Sequence, residues 1–273
     1  MYDIKALYEA SSVNEAIELM RQHPDAKIIA GGSDVLIKLR EGKLAGCELV
    51  SIYGIDALRG ISMDEDGTLR ILPLTSFSHI TKDPLINVPN DPLVEAHLPA
   101  LGDAVDQAGG PQLRNIGTIG GNISNGVTSA DSASTLHAWD AIVELTSAEG
   151  VRRLPIREYY ISAGKVALRP AELLTAILIK KESYAGYKGH YIKYAMRNAM
   201  DIATLGCSVN VKLSDDKKTI LGARIAYGVA GPVPMRGPAA EEAVRGKPIC
   251  GETVAAFAGA AMQNINPRDS WRA

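Results

Sequence analysis

The sequence predicts an α+β fold in two parts, a larger N-terminal region followed by a small α+β C-terminal one. Three observations carry that expectation. Through residue 179, short apolar strands are interspersed with amphipathic helices and turn-separated hairpins. Lys180 to Gly189 is then polar and without periodicity. Beyond it, strand-like segments come first and helix-like ones last, the order of a sheet covered by helices. A length of 273 residues leaves room for both parts, since domains run at roughly 100 to 200 residues each.

Taken in order, Ser12 with Glu15 forms a capping box, and Val13, Ala16, Ile17 and Met20 recur at helical spacing, which predicts a helix over residues 12–22. His23-Pro24-Asp25 breaks it, and Lys27 to Ala30 reads as a short buried strand ending at Gly31-Gly32. Asp34 is placed to cap a helix from Val35 to Arg40, and Leu49 to Ile52 is a further strand. Gly60 to Met63 and Thr68 to Leu72 flank Asp64-Glu65-Asp66-Gly67 as a hairpin. Val94, Leu98, Leu101 and Val105 predict a helix over residues 91–108, ended by Gly109-Gly110-Pro111. Gln112 to Asp131 reads as a functional loop. Ala141 to Thr146 pairs with Val151 to Leu154 as a hairpin, and Leu173 to Ile179 is a strand. In the C-terminal part, strands are expected at Tyr191 to Met196, Ala203 to Leu213 and Ile220 to Val229, and helices at Ala239 to Arg245 and Glu252 to Asn264.

Composition excludes several functions. Lys plus Arg number 29 against 31 Asp plus Glu, so no basic footprint for nucleic acid exists. Only 5% of residues are aromatic, too few for base-stacking platforms. No apolar run reaches the ~18 residues of a membrane helix, and no secretory signal opens the chain, which predicts a cytoplasmic protein. Cys47, Cys207 and Cys250 are too dispersed for a disulfide framework or a metal clip. The five histidines are equally scattered, and no Ser-His-Asp or Cys-His constellation is visible.

Two glycine-rich segments remain as candidate chemistry. In Ile28-Ile29-Ala30-Gly31-Gly32-Ser33-Asp34-Val35, a strand delivers two glycines and a hydroxyl to the start of a helix. Glycine lets backbone N–H groups approach a phosphate, although the same residues would also serve a tight strand-to-helix turn. Neither Gly-x-Gly-x-x-Gly nor a P-loop pattern is present. The second segment runs from Arg114 to Asp131. Its glycines are read as exposing consecutive N–H donors, while Thr118, Asn122, Ser124 and Thr128 offer side-chain hydrogen bonds. Such a donor set suits an elongated phosphate-bearing ligand. Asp131 adds a carboxylate that could equally cap the helix through Leu136.

These segments resemble the FAD-binding subunits of molybdenum-containing hydroxylases, the family that includes xanthine, carbon monoxide and nicotinate dehydrogenases. The resemblance rests on Ala30-Gly31-Gly32-Ser33-Asp34, on Asn115 to Asn122 with its Gly120-Gly121-Asn122 ending, on Ser129-Ala130-Asp131, and on Lys193 to Ala203. It covers nearly the whole chain. It implies a two-lobed FAD-binding domain of the PCMH/VAO type over residues 1–180, with lobes of about 1–55 and 56–180, and a C-terminal flavoprotein domain over 187–273.

The resemblance further implies that the FAD pyrophosphate lies between Ile28, Ile29, Ala30, Gly31, Gly32, Ser33, Asp34, Val35 and the segment Thr118, Ile119, Gly120, Gly121, Asn122. Asp131, Leu174 and Lys193 match family positions near the flavin. Leu174 would be core in any strand, and Lys193 would be at home on any solvated strand face. Ala108 falls where animal relatives carry a phenylalanine. No histidine or cysteine lies in the two segments, which predicts non-covalent FAD.

Electrons would come from 2Fe–2S clusters on a small partner subunit, fed by molybdopterin on a large one, in a heterotrimer or its dimer. NAD or another acceptor would take them, and Arg197 to Asp201 match the loop beside the flavin whose charge influences acceptor choice in relatives. Motifs such as Tyr194 to Arg197 and Pro267 to Ala273 are most similar to bacterial xanthine dehydrogenase members, which implies a purine substrate. Relatives usually continue into a last helix where this sequence ends at Ser270 to Ala273, so the C-terminal domain is expected either to lack that helix or to take it from a separate piece. Three alternatives stay open: a stand-alone flavin-dependent reductase, which would need an acid or base of its own; the FAD subunit of a relative acting on another N-heterocycle, an aldehyde or carbon monoxide; and a non-catalytic module whose glycines are turns.

Overall fold

The computed structural model describes residues 2–86, 97–263 and 265–269. Its first layer is a parallel sheet of β1 (Ile4–Glu9), β2 (Lys27–Ile29) and β3 (Cys47–Ser51) in the order β1-β3-β2. Helix α1 (Val13–Gln22) packs Ala16, Ile17 and Met20 into a core with Val50, Ile52 and Leu58. Ser12 caps it as expected, its Oγ accepting the Glu15 N–H at 3.2 Å. The return bond differs: the Glu15 carboxylate accepts from the N–H and hydroxyl of Ser11, one residue earlier than a capping box requires. Helix α2 (Val35–Arg40) starts after Asp34, whose side chain makes no capping bond. Its carboxylate pairs instead with Lys38 at 2.7 Å, because an αR backbone at Asp34 turns the side chain along the helix.

The second layer opens with β4 (Ile61–Met63) and β5 (Leu69–Ile71), followed by α3 (Phe77–Ile80), α4 (Pro99–Asp106), α5 (Pro111–Ile116), α6 (Ile119–Ser124) and α7 (Asp131–Ala138). Strands β6 (Ile142–Ser147) and β7 (Gly150–Pro155) come next, then α8 (Ile156–Tyr159), β8 (Tyr160–Ser162), β9 (Lys165–Val166) and β10 (Leu173–Ile179). Five strands form an antiparallel sheet, β4-β5-β10-β6-β7, whose buried face carries Leu69, Ile71, Val143, Leu145 and Ile177 against α4, α6 and α7.

The expected helix over 91–108 is described only from Pro99, with Leu98 at its N-cap; residues 91–96, including Val94, lie outside the described residues. The expected loop over Gln112 to Asp131 is a series of short helices. Pro111 at the first position of α5 and Thr118 capping α6 set each turn, and burial of Ile119 and Ile123 holds them.

After α9 (Lys181–Tyr184), strands β11 (Tyr187–Tyr194), β12 (Leu205–Leu213), β13 (Ile220–Gly228) and β14 (Met235–Arg236) form an antiparallel sheet in chain order. Strand β11 therefore begins inside the polar, aperiodic stretch Lys180 to Gly189, before the expected start at Tyr191. As an edge strand with one exposed face, it needs only alternate buried residues and backbone partners. One face of the sheet rests on α4 and α7, and the other is covered by α10 (Pro238–Val244) and α11 (Gly251–Ala261) through Ile225, Tyr227, Ala240 and Phe257. Asn264, the expected end of the last helix, and Ser270 to Ala273 lie outside the described residues.

Candidate functional site

Sterics bring the two glycine-rich segments together. A Cβ on Gly31 would stand 1.8 Å from the carbonyl oxygen of Ile116, so only glycine lets the β2–α2 turn meet the end of α5. Gly32 follows with φ +74, the left-handed conformation that turns the chain into α2. The amide hydrogens of Gly31, Gly32, Ser33, Asp34 and Val35 donate to no acceptor among the described residues. Five successive unclaimed donors at the end of a strand match the needs of a diphosphate.

The second segment is built differently from the sequence expectation of consecutive free amides. Ile119 N–H donates to Thr75 O at 3.0 Å, Gly120 N–H to Pro73 O at 2.9 Å, and Gly121 N–H to Thr118 Oγ1 at 3.2 Å. Those donors are spent on anchoring α6 to the neighbouring Pro73 to Thr75 turn. The two glycines also part company. A Cβ on Gly120 would meet Pro73 at 2.4 Å, whereas on Gly121 it would meet Thr118 Oγ1 alone, at 3.0 Å, with open space beyond. Gly120 is structural, and Gly121 is exposed with an open face.

Asn122 connects this wall to the next element, its Oδ1 accepting a 2.7 Å bond from the Ser132 hydroxyl. Asp131 beside it is the first residue of α7 and does not cap that helix; Ala130 holds the N-cap position. The carboxylate points into the C-terminal sheet. There Lys193 donates to Asp131 Oδ2 at 3.0 Å and to the Gln107 carbonyl at 3.0 Å, with side chains only 6% and 10% exposed for Lys193 and Asp131. Tyr191 donates its hydroxyl to Asp131 Oδ1 at 2.8 Å. Burial pushes the Asp131 carboxyl above its ordinary value, and Lys193 and Tyr191 pull against that shift.

Of the sequence-predicted residues, Gly31 to Val35, Gly121, Asn122, Asp131 and Lys193 thus fall on segments joined by direct contacts. Ile28 and Ala30 pack partly into the first core, and Ile119 is fully buried. Leu174 is 3% exposed in β10 and shares the main core with Ile119 and Ile123. Ala108 is also buried. Sequence reading missed Tyr191; its spacing of two from Lys193 on one strand was the available signal, since such residues share a face.

The loop from Arg197 to Asp201 closes on itself. Asp201 accepts the N–H groups of Arg197 and Ile202 at 2.9 Å each, Arg197 donates to the Met200 carbonyl at 2.8 Å, and Met200 takes φ +54. It stands beside the N-cap of α5, because a Cβ on Gly110 would lie 3.6 Å from the Met200 side chain.

Among the described residues, no group of His, Cys, Asp or Glu could hold a metal, no helix is long and apolar enough to cross a membrane, and Cys47, Cys207 and Cys250 are free.

Comparison with known proteins gives the same region a family. Residues 2–180 match the family described as FAD binding domain in molybdopterin dehydrogenase, and residues 190–273 match the CO dehydrogenase flavoprotein C-terminal domain. The chain is similar to the xanthine dehydrogenase FAD-binding subunit of Escherichia coli O157:H7, at 39% identity over 100% of this chain and 90% of that protein. It is 30% identical to the nicotinate dehydrogenase FAD-subunit of Eubacterium barkeri, over 91% of this chain and 82% of the relative. Among solved structures, carbon monoxide dehydrogenase from Hydrogenophaga pseudoflava superposes with a TM-score of 0.89 at 30% identity, covering 99% of this chain and 90% of that one.

Proposed function

This chain belongs to the family of FAD-binding domains of molybdopterin dehydrogenases, and from that premise we propose that it holds FAD as the electron outlet of a purine-oxidising molybdenum hydroxylase. It is an oxidoreductase subunit of that family. The proposed flavin domain is residues 1–180, with 187–273 as a separate C-terminal domain. In this reading the FAD pyrophosphate lies, without a covalent bond, between Ile28 to Val35, whose free amides at Gly31 to Val35 hold it, and Thr118 to Asn122, which form the facing wall with their own amides already paired, and Asp131, Leu174 and Lys193 line the flavin end.

One observation carries the cradle: the five successive amide hydrogens from Gly31 to Val35 that have no protein acceptor. Unclaimed donors in a turn packed on Ile116 fit a diphosphate better than a purely structural turn, in which backbone groups find partners within the chain. FAD, when bound, supplies both one-electron and hydride chemistry. The chain contributes binding and a charged, water-poor wall at Asp131 and Lys193.

The partners in this reading are a molybdopterin-bearing large subunit and a 2Fe–2S small subunit, in a heterotrimer or its dimer, with NAD as electron acceptor. A cytoplasmic location agrees with three free cysteines. The reading of a purine rests on similarity to a xanthine dehydrogenase subunit.

The test is the visible spectrum of the chain purified with its natural partners, acid release of the chromophore, and then anaerobic addition of hypoxanthine followed by NAD. Released FAD that is bleached by the purine and reoxidised by NAD is expected. A colourless complex that cannot be reconstituted with FAD overturns the cofactor assignment. Bleaching by nicotinate or an aldehyde, and not by purines, overturns the substrate. Reoxidation by a quinone or ferredoxin in place of NAD overturns the acceptor.

A further inference from the structure

The Asp131–Lys193 pair has a third member that neither its sequence motif nor the glycine segments point to. Tyr191 is 1% exposed, and its hydroxyl donates to Asp131 Oδ1 at 2.8 Å, on the opposite oxygen from Lys193. Room for this hydroxyl is reserved by a glycine. On β12, directly across from Lys193, a Cβ on Gly206 would lie 2.8 Å from the Tyr191 oxygen and 3.3 Å from its ring. A side chain there would push the hydroxyl from its place. The carboxylate is therefore fixed at both oxygens, one by a neutral donor and one by a cation.

What this fixation does follows from the donor count of an ammonium. Lys193 carries three N–H bonds, and Asp131 and the Gln107 carbonyl take two of them. The third is left without a protein acceptor among the described residues, in a side chain that is 6% exposed. Its direction depends on where Asp131 stands, because a flexible four-carbon stem has no orientation of its own. Asp131 in turn depends on Tyr191, since a carboxylate held by one partner alone can swing about its side-chain torsions.

We propose that Tyr191 is a positioning residue for the flavin site, its hydroxyl holding Asp131 so that Lys193 presents its remaining N–H to the bound cofactor. Gly206 is the residue that permits it. This inference rests on the FAD reading above and adds to it a route from the C-terminal sheet into the site. The route also explains why the sheet carries a phenol on the face it turns toward α7, where an apolar ring would pack as well.

The test uses the full chain reconstituted with FAD, in a double-mutant cycle of Tyr191→Phe and Lys193→Met, reading the FAD dissociation constant and the flavin midpoint potential. Phenylalanine keeps the ring and removes only the donor. Tyr191→Phe alone is expected to weaken FAD about tenfold and to shift the potential, yet to change either by less than about twofold in the Lys193→Met background, because it acts through that lysine. Gly206→Ala, which retains the hydroxyl but displaces it, is expected to reproduce the Tyr191→Phe effect.

Equal effects of Tyr191→Phe in both backgrounds, or none in either, overturn the proposal while leaving FAD binding intact. A wild-type chain that takes up no FAD overturns the cofactor reading itself. Should Tyr191→Phe fail to fold, the Gly206→Ala and Lys193→Met pair closes the same cycle: non-additive losses support positioning, and additive ones refute it.

Discussion

At the residue scale, Gly31, Gly120 and Gly121 are three glycines with different reasons to be glycine. Gly31 and Gly120 are required by backbone: a methyl group on either would overlap Ile116 or Pro73, atoms that cannot rotate away. Gly31→Ala is therefore expected to destabilise the fold by several kcal/mol, on the order of 3, read as a lower urea midpoint with the slope unchanged. Gly121 meets only a side-chain oxygen, and its exposed position tolerates added bulk. Gly121→Phe is expected to leave the stability read from urea unfolding within about 1 kcal/mol of wild type and to abolish FAD retention through gel filtration. Equal loss of stability in both variants would show that Gly121 is another packing glycine. No sequence rule separates these residues, because glycine is invisible to periodicity and its neighbours lie on other elements.

At the scale of elements, α7 is where buried polar chemistry concentrates. His137 Nδ1 lies 2.7 Å from the Ala133 carbonyl, which can only accept, so that nitrogen carries the proton. Its Nε2 is buried without a partner, and burial pulls the imidazole pKa from its ordinary 6.5 down to about 4. Between those values, an unfolded chain takes up a proton that the folded one refuses. Stability is thus whole above pH 6.5 and is lost as pH falls through that window toward 4, by about 3 kcal/mol. His137→Gln is expected to flatten this acid limb, measured as urea midpoints at pH 7 and pH 4.5. An unchanged limb would refute the assignment. In the sequence His137 is one of five scattered histidines, and nothing local shows that a second sheet would pack on its helix.

For the whole molecule, the joint between the N-terminal layers and the C-terminal sheet combines an apolar contact, Tyr191 packed with Leu136 and Trp139, with a polar clamp. Arg236 on β14 donates to the His137 carbonyl at 3.3 Å and to Asp140 beyond α7, and holds Glu241 of α10 with two 2.6 Å bonds. Replacing Arg236 with Met leaves the half-buried Glu241 carboxylate without its cation, while Asp140 keeps Arg224 at 3.5 Å, and a loss of about 2 kcal/mol is expected, with amide exchange rising first in β12 and β13. Exchange rising uniformly would mean that the clamp holds no particular joint. The same joint carries Tyr191 and Lys193 to Asp131, so loosening it is expected to weaken FAD as well.

Local pattern was sufficient for much of this protein. The hairpin turn at Asp64 to Gly67, the strand Leu173–Ile179 and the capped helix after Ser12 were legible because each is decided by a short run of residues and its own turn chemistry. The AGGSD-type turn and the Gly120-Gly121-Asn122 segment were legible as motifs, and with them the family. β1, with Leu7 facing outward at 54% exposure, and the early start of β11 were not, because their strand character comes from partners distant in sequence. Nor was the distribution of donors. Sequence placed N–H groups on both glycine segments, but only packing decided that Thr75 and Pro73 would consume those of α6 and leave those of Gly31 to Val35 unclaimed. A motif names the atoms that could bind, and tertiary contacts determine which of them are still free, because each donor has one bond to give.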